Sequence, residues 1–286
     1  MAPPAQAGRV SGRPKARGPL ACPASQRLIT LRREAGAVRH GTEAAILCGG
    51  RGERLRPLTD FFQKSMIPVG PQKLPLLTYI IRLVSHHGVT GISLLTGYRS
   101  EDIRQYFGDG SKFKVQLRYS EDVRGRPGSM NALAHALSGG AVAKCDELLV
   151  YYGDVLSDLD ITSLLHTHRE ERADATLVLA KGYTLPVGIA DVDGDGLVRG
   201  VREKPKLDLS VSTGCMVLGP RSMKLISKNA SVKNSDLMTH FVPQLLVGGG
   251  RVAAFYTTGA WHDVGTITGL EALNAELAKK PVNFTK

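Results

Sequence analysis

Residues 46–69 read Ile46-Leu-Cys-Gly-Gly-Arg-Gly-Glu-Arg-Leu-Arg-Pro-Leu-Thr-Asp-Phe-Phe-Gln-Lys-Ser-Met-Ile-Pro-Val69, a short apolar run that breaks into a glycine-rich, cation-bearing loop. Gly49, Gly50 and Gly52 lack a β-carbon, so the backbone is free to take positive φ and to bring its N–H groups close to an anion. Arg51, Arg54 and Lys64 supply matching positive charge. Such a loop suits a polyphosphate. The plainer alternative is a strand-to-helix turn whose arginines are merely solvated.

Two familiar phosphate motifs fail residue by residue. A P-loop needs Gly-x-x-x-x-Gly-Lys-Ser/Thr, and neither Gly-Lys-Ser nor Gly-Lys-Thr occurs in the chain. The dinucleotide fingerprint Gly-x-Gly-x-x-Gly requires glycine where Leu55 stands after Gly50 and Gly52.

Composition narrows the class of protein. The 286 residues are 42% hydrophobic, which is ordinary for a globular chain, and no stretch approaches the roughly 18 apolar residues of a membrane helix. A cytoplasmic enzyme with one large core is the expectation. The net charge of +11 invites a nucleic-acid partner, but residues 1–40 carry +7 of it and leave +4 for 41–286. No stacking aromatics accompany the basic leader, so nucleic acid is not the expected partner.

Residues 1–40 are rich in Pro, Ala, Gly and Arg and poor in aromatics, too little apolar surface to offset the entropy of ordering. They are expected to be a disordered leader before a catalytic domain over 41–286. An organellar transit peptide and a mis-assigned start are alternatives, since no methionine lies between Met1 and Met66. Cys22, Cys48, Cys145 and Cys215 show no Cys-x-x-Cys spacing, so neither zinc nor a disulfide framework is expected. Cys48 and Cys215 lie in apolar runs and read as small hydrophobes.

From residue 43 onward short apolar runs alternate with amphipathic segments, the pattern of a mostly parallel sheet with crossover helices. Strands are expected at Ala44–Cys48, Gly91–Thr96, Val115–Tyr119 and Glu147–Tyr152. Helices are expected at Leu76–His87, Ser100–Phe107 with a serine N-cap, and Asn131–Leu137. The glycine loop and Asp154 both follow strand ends, where ligands sit in open α/β sheets. Asp191-Val-Asp-Gly-Asp-Gly196 is not a calcium loop, because its twelfth position is Arg202; a hairpin turn is expected there. His135, His166 and His168 read as helix-surface residues.

The string Gly-Gly-x-Gly-x-Arg-Leu-x-Pro-Leu-Thr, followed by Lys64 and Pro68, resembles the signature of sugar-1-phosphate nucleotidylyltransferases, the NDP-sugar pyrophosphorylases. The likeness continues through Gly153-Asp154, Glu203-Lys204-Pro205, Ser212-Thr213-Gly214 and Trp261-His-Asp-Val-Gly-Thr266. It implies a Rossmann-like α/β fold, a central mostly parallel mixed sheet flanked by helices. It also implies Mg²⁺-dependent transfer of a nucleotidyl group from a nucleoside triphosphate to a hexose-1-phosphate.

In that reading Arg54 and Lys64 neutralise the triphosphate, and Asp154 and Asp263 hold Mg²⁺. Leu47, Gly49, Gly50, Gly52 and Gly128 line the nucleotide, while Gly188, Glu203, Lys204 and Thr213 contact the sugar phosphate. Gly128-Ser-Met-Asn-Ala-Leu133 departs from the family's Gly-Thr-Ala-Gly-Ala-Leu at Met130 and Asn131, which puts base choice in doubt. Gln63 replaces a usual proline and is expected to loosen the loop. No hexapeptide repeat follows the last motif, so no β-helix acyltransferase domain is expected.

Relatives are often dimers or tetramers, and a homo-oligomer is left open. So are the base and the sugar, with UTP, dTTP and GTP the leading nucleotides. A regulatory paralogue that binds nucleotide without turnover is the rival reading, although such proteins usually lose the metal acids or the loop lysine. Residues 1–37 are expected to be dispensable: a chain beginning near Arg39 should retain full activity, and its loss on truncation refutes this.

Overall fold

The computed structural model describes residues 41–185, 187–229 and 235–279, so the expected leader lies outside the described residues. Thr42–Cys48 forms β1, whose side chains alternate between two cores. Ala44, Ile46 and Cys48 belong to one buried cluster and Ala45 to the other, so this strand is covered on both faces. That is why its sequence is continuously apolar rather than alternating with polar residues.

A short helix α1 (Leu58–Phe61) and the two-residue strands β2 (Pro68–Val69) and β3 (Leu74–Pro75) lead into α2 (Leu76–His86). Then β4 (Gly91–Thr96), α3 (Ser100–Phe107), β5 (Gln116–Glu121), α4 (Ser129–Ser138) and β6 (Glu147–Tyr152) continue the alternation. β7 (Val155–Ser157) and α5 (Ile161–Glu170) precede the long strand β8 (Ala175–Thr184). A hairpin of β9 (Ile189–Val192) and β10 (Val198–Arg202) follows, then β11 (Lys206–Leu218). The remaining elements are α6 (Pro220–Lys228), α7 (Val242–Val247), β12 (Val252–Tyr256), β13 (Trp261–Asp263) and α8 (Ile267–Lys279).

Seven strands form the central sheet in the order β12-β8-β11-β6-β1-β4-β5. β6, β1, β4 and β5 run parallel, as do β12 and β8, while β11 is antiparallel to both its neighbours. The sheet is therefore mixed and mostly parallel, as expected. On one face α2, α3, α5 and α8 bury Ile80, Phe107, Leu164 and Leu273; on the other α4, α6 and α7 bury Leu133, Ile226 and Leu245. Each helix covers the sheet with one apolar stripe, giving three layers.

Three local expectations need correction. Ser100 is the first residue of α3 rather than its cap; Arg99 holds that place at φ 54°, and the Ser100 hydroxyl donates to Glu121 at 3.4 Å. Arg99 is held there by its own bonds to Asp102 at 2.5 Å and the Asp60 carbonyl at 3.1 Å. β5 runs two residues further than expected, to Glu121, because Thr96 at the end of β4 still pairs there. His168 is only 5% exposed, its ring nitrogen 2.8 Å from the Thr176 hydroxyl, and so is not a surface residue.

Other expectations hold. The 191–196 segment forms the expected hairpin turn: Asp193 accepts the N–H groups of Asp195 at 3.0 Å and Leu197 at 2.9 Å between β9 and β10. Cys48 and Cys215 are buried, and burial pushes the Cys215 thiol up to about 12.

Burial, aided by Arg169 and opposed by the smaller effects of Glu147 and Asp174, holds the His168 pKa below its ordinary 6.5; burial is also the leading cause of the lowered His87 pKa. Both rings are kept neutral in the fold but take up protons once unfolded, so the unfolded chain binds more protons as pH falls. Their contribution to stability is complete above about 6.5, the unfolded value, and is lost as pH falls below it toward the lowered folded values. The urea midpoint should therefore drop between pH 7 and 5, and His168→Gln should flatten that slope.

Candidate functional site

A cleft of about 920 Å³ opens where β1, β4, β5 and β6 end. Its walls come from four strand ends: Leu47 to Gly52 with Lys64, then Gly97 and Tyr98, then Glu121 and Asp122, then Tyr152 and Asp154. Gly128 at the start of α4 closes one side. β1 has β4 on one flank and β6 on the other, so the chain leaves it in one direction and later returns in the other. Such a switch point forms a crevice beyond the strand ends.

The glycine loop is held more tightly than its composition suggests. Of Gly49, Gly50 and Gly52 only Gly52 has positive φ, at 64°. Its carbonyl accepts the Thr59 hydroxyl at 2.9 Å and the Leu55 N–H at 2.8 Å, which folds the loop back on itself. Gln63, expected to loosen the loop, is fully buried and does the reverse. Its amide donates to the Cys48 carbonyl at 2.5 Å and accepts the Ser65 N–H at 2.6 Å, tying the Lys64–Met66 turn to the end of β1. Proline could make neither bond.

That turn aims Lys64 at the end of β6, where its ammonium pairs with the Asp154 carboxylate; the two side chains are 12% and 26% exposed. Asp263 arrives by a different route. β13 pairs antiparallel with β7, placing Asp263 opposite Val155, and the Val264 N–H donates to the Asp154 carbonyl at 2.8 Å. Two acids far apart in sequence thus stand on adjacent backbones. Arg54 lies outside the cleft lining but borders Asp263: a β-carbon on Gly265 would fall 2.8 Å from Asp263 Oδ1 and 3.0 Å from an Arg54 guanidinium nitrogen.

The donor set suits a hard cation of one kind. Among the described residues no group of three or more His, Cys, Asp or Glu side chains could cage a metal. Asp154 lines the cleft and Asp263, on the adjoining backbone, lies outside that lining; one or two carboxylates are what Mg²⁺ ordinarily takes from protein, its other ligands being water and substrate phosphates.

The expected sugar-side residues divide. Pairing of Ile189 with Arg202 at the end of the β9–β10 hairpin sets Gly188 beside Glu203, so that a β-carbon on Gly188 would be 2.8 Å from the carboxylate. Glu203 and Lys204 are exposed, and Lys204 takes φ 43°, uncommon for a residue with a β-carbon. All three lie outside the cleft lining. Thr213 does not join them: it is 3% exposed and its hydroxyl donates to the Val178 carbonyl at 3.1 Å, so it holds β11 to β8.

The departures at Met130 and Asn131 also point away from the cleft. Met130 is 1% exposed in the second core, and Asn131 donates to the Pro127 carbonyl and accepts from the Ser235 hydroxyl, both at 2.9 Å. They anchor α4 rather than face a base. Gly128 is confined by the same contact, because a β-carbon there would lie 2.0 Å from the Ser235 carbonyl oxygen.

Two cleft features escaped the sequence reading. Tyr152 donates to the Ser129 hydroxyl at 3.3 Å, which in turn donates to Asp236 at 2.6 Å, so a polar chain crosses from β6 to the start of α4. Asp122 stands directly beyond β5 in the lining. Its signal was available, an acid immediately following a strand, but the strand was expected to end at Tyr119.

The family profile described as "Nucleotidyl transferase" matches residues 43–280. The chain is 31% identical over 247 residues to the mannose-1-phosphate guanylyltransferase of Mycobacterium tuberculosis, covering 84% of this chain and 66% of that protein. It is 29% identical over 240 residues to the UTP–glucose-1-phosphate uridylyltransferase of Synechocystis, covering 79% of this chain and 60% of that protein. The chain thus spans somewhat less than two thirds of either relative. In fold it resembles the crystal structure of a Bacillus anthracis protein in complex with a sucrose, with a TM-score of 0.67 at 22% identity, covering 86% of this chain and 98% of the other. A profile that spans nearly all the described residues, on a sheet whose strand ends gather the signature loop and Asp154, leaves one assignment: the chain belongs to the nucleotidyl transferase family.

Proposed function

We propose that this protein transfers a nucleotidyl group from a nucleoside triphosphate to a hexose-1-phosphate, releasing pyrophosphate and an NDP-sugar. The observation that carries the reading is the meeting of Lys64 with Asp154 at the cleft, with Asp263 on the adjoining strand. A phosphate oxygen of the sugar phosphate bonds to the α-phosphorus as the bond from that phosphorus to the leaving pyrophosphate breaks. Both reactants are anions, so positioning and charge neutralisation dominate and no covalent protein nucleophile is required. The raised thiols of the two buried cysteines accord with that.

Within the cleft, Leu47 and the backbone of Gly49, Gly50, Gly52 and Gly128 form the nucleotide wall. Lys64 and Arg54 offset charge on the triphosphate and on the departing pyrophosphate. Glu203, with Gly188 against it, orients sugar hydroxyls, and Lys204 holds the sugar's phosphate. Asp154 and Asp263 would hold Mg²⁺, which when bound neutralises and orients phosphate oxygens. No helix among the described residues is long and apolar enough to cross a membrane, and a cytoplasmic site of action is part of this proposal.

Asp154→Ala and Asp263→Ala should each lower pyrophosphate release by about 10²–10³-fold while the circular dichroism spectrum is retained. Lys64→Ala should fall in the same range. Undiminished release from both aspartate variants would remove the metal assignment; nucleotide binding by the wild-type chain without release for any sugar phosphate would instead favour a non-catalytic sensor.

A further inference from the structure

The cleft lining contains two carboxylates that the proposed chemistry does not use, Glu121 and Asp122. Asp122 follows β5, on the far side of the glycine loop from Asp154 in the strand order. Its Oδ2 is wedged between two backbones: a β-carbon built on Gly49 would fall 2.3 Å from it, and one on Gly97 would fall 2.4 Å away. Any side chain at either glycine would displace this carboxylate or be displaced by it. The carboxyl pKa is raised, chiefly by burial between those backbones and against a small opposing effect of His135.

Arg51, Arg124 and Lys64 line the same cleft, yet among the described residues no hydrogen bond or ion pair engages the Asp122 side chain. Its neighbour Glu121 is different. Arg104 at 3.1 Å and the Ser100 hydroxyl at 3.4 Å both bond Glu121 Oε1. Of the two adjacent acids, Glu121 is already engaged through Oε1, whereas the Asp122 side chain has no such partner among the described residues. Asp122 is exposed at the cleft surface, an anion amid cations that it does not pair with, and is suited to a partner presenting hydrogen-bond donors rather than phosphate.

An ionised carboxylate only accepts, through two parallel oxygens. Among the common bases guanine alone presents two adjacent donors, N1–H and N2–H₂, on its pairing edge. Uracil and thymine offer one N–H between two carbonyls, while adenine and cytosine offer an amino group beside a ring acceptor. Each of these would set an acceptor against Asp122 and leave it unpaired or repelled, and a buried polar group left unpaired is costly. We propose that Asp122 selects the base, and that the nucleotide this cleft takes is a guanine nucleotide. The inference rests on the nucleotidyl-transfer reading for the location of the nucleotide and adds the identity of its base.

The test uses donor–acceptor inversion. The substitution Asp122→Asn keeps the side chain's shape but turns one oxygen into an N–H donor, which matches xanthine, whose O2 replaces the guanine amino group. Equilibrium binding of GTP, ATP, UTP, CTP, dTTP and XTP to the full chain and to this variant is measured by calorimetry. Pyrophosphate release is followed in parallel with a panel of sugar-1-phosphates.

The wild-type chain should bind GTP at least about tenfold more tightly than the other common triphosphates, as one charge-assisted hydrogen bond allows. Asp122→Asn should lose about ten- to a hundredfold for GTP and gain comparably for XTP, a gain that an unfolded variant could not give. Wild-type preference for another base, or GTP binding unchanged by Asp122→Asn, would overturn the inference. If release proceeds with UTP or dTTP instead of GTP, the base assignment fails and the transfer reaction stands. If GTP binding inverts to XTP yet no sugar phosphate yields pyrophosphate, the base assignment stands and the transfer reaction fails.

Discussion

The carbonyl groups that end β1 organise this molecule. A central strand buried on both faces delivers its last carbonyls into the sheet's edge, where each must find a donor or bear the cost of burial unpaired. The Leu47 carbonyl takes the Gly153 N–H at 2.9 Å, that of Cys48 takes the Gln63 amide at 2.5 Å, and that of Gly49 takes the Tyr98 N–H at 3.1 Å. Those three bonds bring the end of β6, the Lys64 turn and the end of β4 to one place. The cleft is the space they enclose.

Its electrostatics follow from that convergence. Lys64 and Asp154 are both largely withdrawn from water, and a pair so placed is weak evidence for stability because desolvation offsets attraction. Its value lies in arrangement: a cation and an anion are held together at the end of β6, beside the glycine loop. Asp263 joins through strand pairing rather than through charge, and Arg54 borders it across Gly265. Asp122 keeps to the other flank and pairs with none of the cleft's cations among the described residues.

Much of this was legible before any coordinates. The unbroken apolar run into three glycines announced a buried parallel strand with a loop at its carboxyl end, since no other element needs both. The setting of Asp154 at a strand end was legible from the residues, whereas Asp263 was singled out only by the likeness of Trp261-His-Asp-Val-Gly-Thr266 to a family motif. Other residues were not, and each failure has the same root. Gln63 looked like a defect because sequence shows what a side chain could bond but not which carbonyl waits beside it. Met130, Asn131 and Thr213 sat in motif positions while their side chains turned inward, a direction set by packing against Ser235, Val178 and the second core. His168 looked exposed because the strand whose Thr176 covers it lies in a separate element.

The amino-acid sequence by itself determined the alternation of strands and helices, the position of the anion-binding loop and the residue types available to it. These are local properties, governed by periodicity and by the backbone freedom of glycine. Only the tertiary structure decided that Asp263 stands next to Asp154, that Glu121 is occupied while Asp122 is not, and that Gln63 stiffens the loop. Each of those depends on which distant backbone groups are left needing a partner when the layers close, and no short window of sequence contains that information.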